Sequence, residues 1–370
     1  MKVKVSFVDG ENPDQANNTK QAVMIDASMT AIELSNLMRT MTGCEKACSL
    51  YLFDKYLIRD TLLDSIQEAA CSVEDFLLIY YHEKQSVHEN KETPYPDWIR
   101  AVKPSADGSV IVSCYDNTVR RDQCLFTFRG PSKKRLINCL DVNHSTVFAG
   151  GSDSIVYLND LETGVCKRWV KVTCPVQSIC VHVGMVHAGL TDGSVSLFSD
   201  SEGQKPSVQT FKNHLDCVSA VLSTSTGLYT ASHDRSVCLI DPSSGQSIKT
   251  INLPSSITTA CASLSNAIYT GHADGTIRRL IIASPEEDAM MKSQFLSAKK
   301  GTWIGAMGVS ESGKLAVGDH NGELVFYDER QLREPFYKQS VKGKILSLDW
   351  LRNTLYVGGE ECVLREFIVN

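Results

Sequence analysis

Seven polar residues, Asp116, Asp153, Asp192, Asp234, Asp274, Asn321 and Glu361, recur along the chain at intervals of 37, 39, 42, 40, 47 and 40. Each has a small residue three positions earlier (Ser113, Gly150, Gly189, Ala231, Gly271, Gly318, Gly358) and an aliphatic one three positions later (Val119, Val156, Val195, Val237, Ile277, Leu324, Leu364). A period near 40 constrains the fold strongly, because a unit of that size cannot bury its own apolar face and must stack on copies of itself. Asp192-Gly193, Asp274-Gly275 and Asn321-Gly322 accept positive φ, so the pattern predicts a type I′ hairpin at each anchor, with the small residue relieving crowding where the sheet narrows. Apolar runs such as Ile179–Val181 and Val218–Leu222 lie upstream of the hairpins, and others such as Ser247–Ile251 lie downstream.

Four short strands per 40 residues is the arithmetic of a β-propeller blade. The units resemble WD repeats, most fully in the fourth, where NHLDCVSAV is followed by YTASHDRSVCLID. There His214, Ser232 and Asp234 match the family's hydrogen-bonding positions, and Asp116, Asp192 and Asp274 are their turn counterparts. The Trp-Asp dipeptide is missing throughout, and Ile240 stands where blade four would carry the strand Trp. These residues are expected to hold the fold and not to catalyse. Only nine residues follow Glu361, enough for a third strand of blade seven but not a fourth. The missing outer strand is expected from within Lys84–Pro96, and the 47-residue interval around Pro285–Met291 is read as a loop insertion.

Residues 1–84 follow another grammar. Strands are predicted near Lys2–Phe7 and Gln21–Asp26. A helix follows from the capping box Thr30-Ala31-Ile32-Glu33 to Gly43, with Ile32, Leu34, Leu37, Met38 and Met41 as its apolar face. Strands at Ser49–Phe53, Tyr56–Ile58 and Asp75–Tyr81, with a helical turn at Leu62–Glu68, complete the order of a ubiquitin-like β-grasp. The last strand runs on into YYHEKQSVHENK, so docking is expected here, not conjugation. The fold class is therefore mainly β: a ubiquitin-like α+β domain (1–84), a linker with a possible closing strand (85–97), and a seven-bladed WD-repeat propeller (98–370).

Of the net charge of −6, residues 1–84 hold −5 and the rest −1. No apolar run approaches a membrane span and MKVKVSFVDG is too polar for a signal peptide, so a soluble, unsecreted protein is expected. The thirteen cysteines form no CxxC pair or zinc spacing and read as packed thiols, Cys44 and Cys48 being the nearest neighbours. No phosphate-cradling glycine motif, nucleophile elbow or histidine cluster points to an enzyme, and His182 and His187 read as blade residues.

The whole chain resembles the WD-repeat subunit of the nucleolar Pescadillo (PeBoW) complex, a large-subunit ribosome biogenesis factor. The resemblance rests on the order and spacing of Tyr56-Leu57-Ile58-Arg59 with Leu62 and Leu63, Ser72-Val73-Glu74, FLLIYYHEK and Asp97-Trp98-Ile99. It implies residence in the nucleus, nucleolus and nucleoplasm, and a propeller that binds the WD propeller of a Bop-type subunit and, through it, Pescadillo on the pre-60S particle. It also implies that the ubiquitin-like domain docks on the AAA ATPase midasin through Tyr56, Leu57, Arg59 and Glu74. In that reading Glu74 ligates, in trans, a Mg²⁺ held by midasin, with Asp75 as the alternative donor. A hard cation that demands oxygen ligands suits such a carboxylate. The resemblance implies no cofactor of the chain's own, no membrane and no small-molecule substrate. Basic pairs such as Arg120-Arg121, Lys167-Arg168 and Arg278-Arg279 read as solvated blade edges, any rRNA contact being indirect, and PSKKR is short for an import signal.

Two other readings compete. A notchless-type factor joins a similar first domain to eight blades, and seven anchors already fill the chain. A cullin-ligase substrate receptor is suggested by Tyr327-Asp328-Glu329-Arg330, which resembles a WDxR motif with Tyr for Trp.

Overall fold

The computed structural model describes residues 2–9, 22–44, 48–52, 56–58, 60–68, 77–83, 85–122, 124–126, 136–201, 207–224, 227–241, 244–263, 267–281, 293–298, 301–330, 332 and 334–370. They form two compact units, Met1–Ser86 with Asp328–Glu334, and Val87–Tyr327 with Pro335–Asn370.

The first unit contains β1 (Lys2–Asp9), β2 (Val23–Asp26), α1 (Ala31–Thr42), β3 (Cys48–Leu52), β4 (Tyr56–Leu57), α2 (Leu62–Glu68) and β5 (Leu77–Glu83). Its sheet order is β2-β1-β5-β3-β4, with β1 and β5 parallel. The helix α1 starts where Thr30 Oγ1 accepts from the Glu33 N–H at 3.3 Å and Glu33 Oε2 accepts from the Thr30 N–H at 2.8 Å. It stops at Gly43, whose φ of 71° lets its N–H turn back to the Arg39 carbonyl. Leu34 and Met38, one turn apart, are fully buried against the sheet residues Val3, Val5, Leu52 and Ile79, a burial that contributes roughly 2–3 kcal/mol per side chain. Ile32, grouped with them from sequence, is 75% exposed, because it lies about 200° around the helix from Leu34. A second reciprocal cap, Thr61 with Asp64, opens α2.

The second unit contains seven four-stranded antiparallel sheets. Their inner strands are Ile99–Pro104, Ile137–Asn143, Val176–His182, Val218–Thr224, Ile257–Ala262, Ile304–Val309 and Ile345–Leu351. Each inner strand packs on the next, and the seventh packs on the first, which closes a ring. In the last sheet the outer strand is β6 (Val87–Pro94), antiparallel to Val363–Val369 and paired from Val87↔Val369 to Pro94↔Val363 with one register shift between Glu366 and Phe367. The Arg365 guanidinium fastens this pairing by bonding Glu89 and Glu92 of β6, and it bonds Glu361 at 2.7 Å.

Two repeated features explain the sequence pattern. The residue after every anchor, from Asn117 (φ 68°) and Ser154 (64°) to Gly322 (79°) and Cys362 (58°), is left-handed, while no anchor has positive φ. The hairpins are therefore not type I′. In blades one to six each is an i→i+3 turn closed by one left-handed residue, as in the Asn117 N–H bond to the Cys114 carbonyl and the Arg235 N–H bond to Ser232. The small residue answers to the neighbouring blade and not to its own hairpin. A Cβ on Gly150, Gly189 or Gly271 would stand 2.5–2.7 Å from the branched methyl of Val176, Val218 or Ile304, each the first residue of the next inner strand. Gly358 faces Ile99 in the same way across the junction of blades seven and one.

Every inner strand also carries a register shift after its first residue, a bulge that re-aims the next side chain. At four of these bulges the first residue's carbonyl is taken by a side chain of the preceding blade: Ser113 to Ile137, Asn138 to Val176, Ser178 to Val218 and Thr258 to Ile304. Blades are thus tied together by hydrogen bonds as well as by packing.

Candidate functional site

Anchor carboxylates fold locally onto their own turns. Oδ1 of Asp116, Asp192, Asp234 and Asp274 accepts both the N–H and the hydroxyl of the Ser or Thr two residues on, the hydroxyl bonds being 2.6–2.7 Å long. Blade four extends this into a network. His214 Nδ1 meets Ser236 Oγ at 2.8 Å and Asp234 Oδ2 at 3.2 Å, while Nε2 meets Thr230 Oγ1 at 2.8 Å. The Leu215 N–H donates to Asp234 Oδ2, and Ser232 Oγ bonds the Asp216 carbonyl and accepts from the Asp234 N–H. Burial works against charge on His214, but Cys238 and Asp234 outweigh it and hold its pKa above the ordinary 6.5. Burial likewise opposes charge on Asp234, and the Ser236 and Leu215 bonds hold its pKa below 3.8 all the same. With every polar atom turned inward onto protein, this is a clamp and not a reaction centre.

The bulged residues Arg100, Asn138, Gln177, Ser219, Thr258, Gly305 and Leu346 all line one central channel of about 600 Å³. Sequence reading misses them, since a bulge leaves no mark in composition. Inside the channel Lys103 Nζ lies 3.0 Å from Asp349 and 3.3 Å from Asp141, whose other oxygen accepts the Val181 N–H. The two carboxylates, Asp349 first, raise the lysine's pKa against its burial, so one cation links blades one, two, three and seven.

At the channel mouth each blade presents two residues joined by a backbone bond, from the residue after its second strand to the one before its inner strand. In blades two, three, four and five these are Leu136/Ser152, Pro175/Thr191, Cys217/His233 and Ser256/Ala273. In the consecutive blades six, seven and one they are Trp303/His320, Lys344/Glu360 and Trp98/Tyr115. Trp303 is 50% exposed and stacked on His320 at 5.8 Å, and Trp98 is 41% exposed and edge-on to Tyr115. Arg100 donates to the Tyr115 hydroxyl at 2.8 Å, and Lys344 pairs with Glu360 at 2.7 Å. The mouth is lopsided: one arc is aromatic and charged. Exposed, preoriented tryptophans are the residue type that anchors protein interfaces.

In the first unit Tyr56 and Leu57 form β4, paired with Leu52 and Tyr51 of β3. Their side chains, together with Arg59, Glu74 and Asp75, lie outside the described residues. Among the described residues no three His, Cys, Asp or Glu side chains are grouped to hold a metal, and no helix is long and apolar enough to cross a membrane.

Comparison with known proteins agrees with this geometry. The family model of the WD domain, G-beta repeat, matches residues 88–120, 122–160 and 205–241. The chain is similar to the ribosome biogenesis protein WDR12 homolog of Arabidopsis thaliana, at 22% identity over 397 residues covering 91% of this chain and 90% of that protein. Among solved structures it resembles the WD40 β-propeller domain of Doa1, with a TM-score of 0.63 and 15% identity over 76% of this chain and 97% of that one. The second likeness speaks to fold alone. WD repeats together with such a relative fit a non-catalytic scaffold.

Proposed function

We propose that this WD40-repeat protein is an assembly factor for the large ribosomal subunit, acting in the nucleolus and nucleoplasm as the WD-repeat member of a Pescadillo-type complex. The observation that carries the reading is the extent of the likeness to the WDR12 homolog. A match over 91% of the chain needs more residues than Val87–Asn370 can supply, so it reaches into the first unit, whereas the likeness to Doa1 covers about the propeller's share. In this reading the propeller takes the WD propeller of the Bop-type subunit on the aromatic arc at its mouth, and through it Pescadillo. The first unit docks on midasin, where Glu74, three residues ahead of β5, lends a carboxylate oxygen to the Mg²⁺ that midasin holds. Pulling by that ATPase then removes the factor from the pre-60S particle.

One affinity purification from cells tests both halves. Glu74→Ala is expected to lose midasin, keep the Pescadillo-type partners and accumulate large-subunit precursors. The Trp98→Ala/Trp303→Ala pair is expected to lose those partners at least tenfold while keeping midasin. If Glu74→Ala retains midasin while Asp75→Asn loses it, the ligand is Asp75; if neither variant shifts a partner, the reading is wrong.

A further inference from the structure

Two sulfur atoms meet in the first unit, across the end of a helix. Cys44 follows the left-handed Gly43 that ends α1, so it has left the helical ladder, and its N–H bonds Thr42 Oγ1 at 3.3 Å. Cys48 is the first residue of β3, opposite Glu83 of β5. Their Sγ atoms are 3.6 Å apart, which is van der Waals contact for sulfur, against about 2.05 Å in a disulfide. Both residues pack on the unit's core yet are only half-buried, unlike the buried thiols Cys114 and Cys238, so small oxidants reach them. Neither cysteine sits in the middle of an element, so neither is held by a ladder on both sides.

We infer that Cys44 and Cys48 are a redox-modifiable pair that closes to an intramolecular disulfide when a hydroperoxide or oxidised glutathione is the oxidant. With hydrogen peroxide, one thiolate attacks the O–O bond and becomes a sulfenic acid while water leaves. The second thiolate then attacks that sulfur and expels a second water, so two thiol protons and two electrons pass to the peroxide. With oxidised glutathione, two successive thiolate attacks release two reduced glutathiones. The product ties the end of α1 to the start of β3 through residues four apart in sequence. Accessible disulfides have more oxidising potentials than buried ones and are undone by a reducing poise, so the bond forms under oxidative load and is reversed afterwards.

The sequence supplies its own assay, since trypsin cuts after Lys46, between the two cysteines. The full chain is treated with hydrogen peroxide or oxidised glutathione, blocked by alkylation and digested. The peptides Thr40–Lys46 and Ala47–Lys55 are expected as a linked pair, two hydrogens lighter than their sum, that separates on addition of dithiothreitol. Cys48→Ser is expected to leave Cys44 as a glutathione adduct, which shows that Cys44 reacts even where no ring can close. In thermal unfolding, the wild-type midpoint is expected to rise on oxidation and the Cys44→Ser midpoint to stay put. The proposal is overturned if both peptides are recovered separately, alkylated or glutathionylated, at doses that oxidise the exposed Cys124.

Discussion

In blade four Asp234 sits in a closed network with Ser236, His214 and the Leu215 N–H. In blade two the equivalent Asp153 accepts the Tyr157 hydroxyl at 2.6 Å through one oxygen, and its other oxygen is buried without a hydrogen-bond partner. The two hairpins are nonetheless alike. Both place a left-handed residue after the anchor, Ser154 at 64° and Arg235 at 74°, and both carry a small residue three positions before it. Backbone conformation and the steric demand of the next blade therefore define the repeat, and the polar network adds stability to a blade whose shape is already set. That is why the pattern survives seven times without one Trp-Asp dipeptide.

The steric half of this contrast should show the largest effect. Gly358→Val drives a branched side chain into Ile99 at the junction that closes the ring, and it is expected to cost about 3 kcal/mol in denaturant unfolding. A loss below ~1 kcal/mol would mean that the blades can slide apart to relieve it. The polar half should be smaller and unequal. His214→Ala takes a partner from each of Thr230, Ser236 and Asp234 and leaves a cavity, and is expected to cost about 2 kcal/mol, against about 1 kcal/mol or less for Asp153→Ala. Equal losses would break the comparison. The smallest effect is one of pH. The folded pKa of His214 is raised, so the stability it adds through its charge is complete below about pH 6.5 and is lost as pH rises through the folded value. Asp234 is lowered, so its share is present above about pH 3.8 and is lost as pH falls through its folded value. The melting temperature of wild type minus that of His214→Gln is expected to be largest between these limits and to shrink towards pH 8; a difference that grows towards pH 8 would mean that His214 is held neutral.

The repeats were legible because steric demands leave narrow residue choices. Only a small residue tolerates the next blade's Val or Ile, and only certain residues turn left-handed after the anchor. The capping box of α1 was legible for a similar reason, since two reciprocal bonds need Thr and Glu three apart. Ile32 misled because an apolar residue near a helix start need not face the core. The channel lining stayed hidden because bulges depend on blade packing and not on residue type, as the spread from Arg100 to Gly305 shows. Cys44 and Cys48 stood out as the nearest cysteines but read as packed thiols, because sequence spacing alone does not show that their sulfurs meet. The partner surfaces were legible only in part: Trp98 stood out at the entry to blade one, whereas Trp303 and His320 join it solely through the ring's closure.

The pairing of β6 with Val363–Val369 has a consequence for synthesis. Val87 leaves the ribosome long before Val369, and at ~5–20 residues per second the interval is on the order of 15–60 s. Throughout it β6 lacks its ladder partner, the ring is open, and the inner strand of blade one presents an apolar flank that only blade seven will cover. An unpaired strand edge beside such a flank invites wrong partners. The nascent propeller is therefore at its most vulnerable just before the ring closes, and the stretch of chain that ends the danger is Val363–Val369, the last of the ring's own strands in chain order.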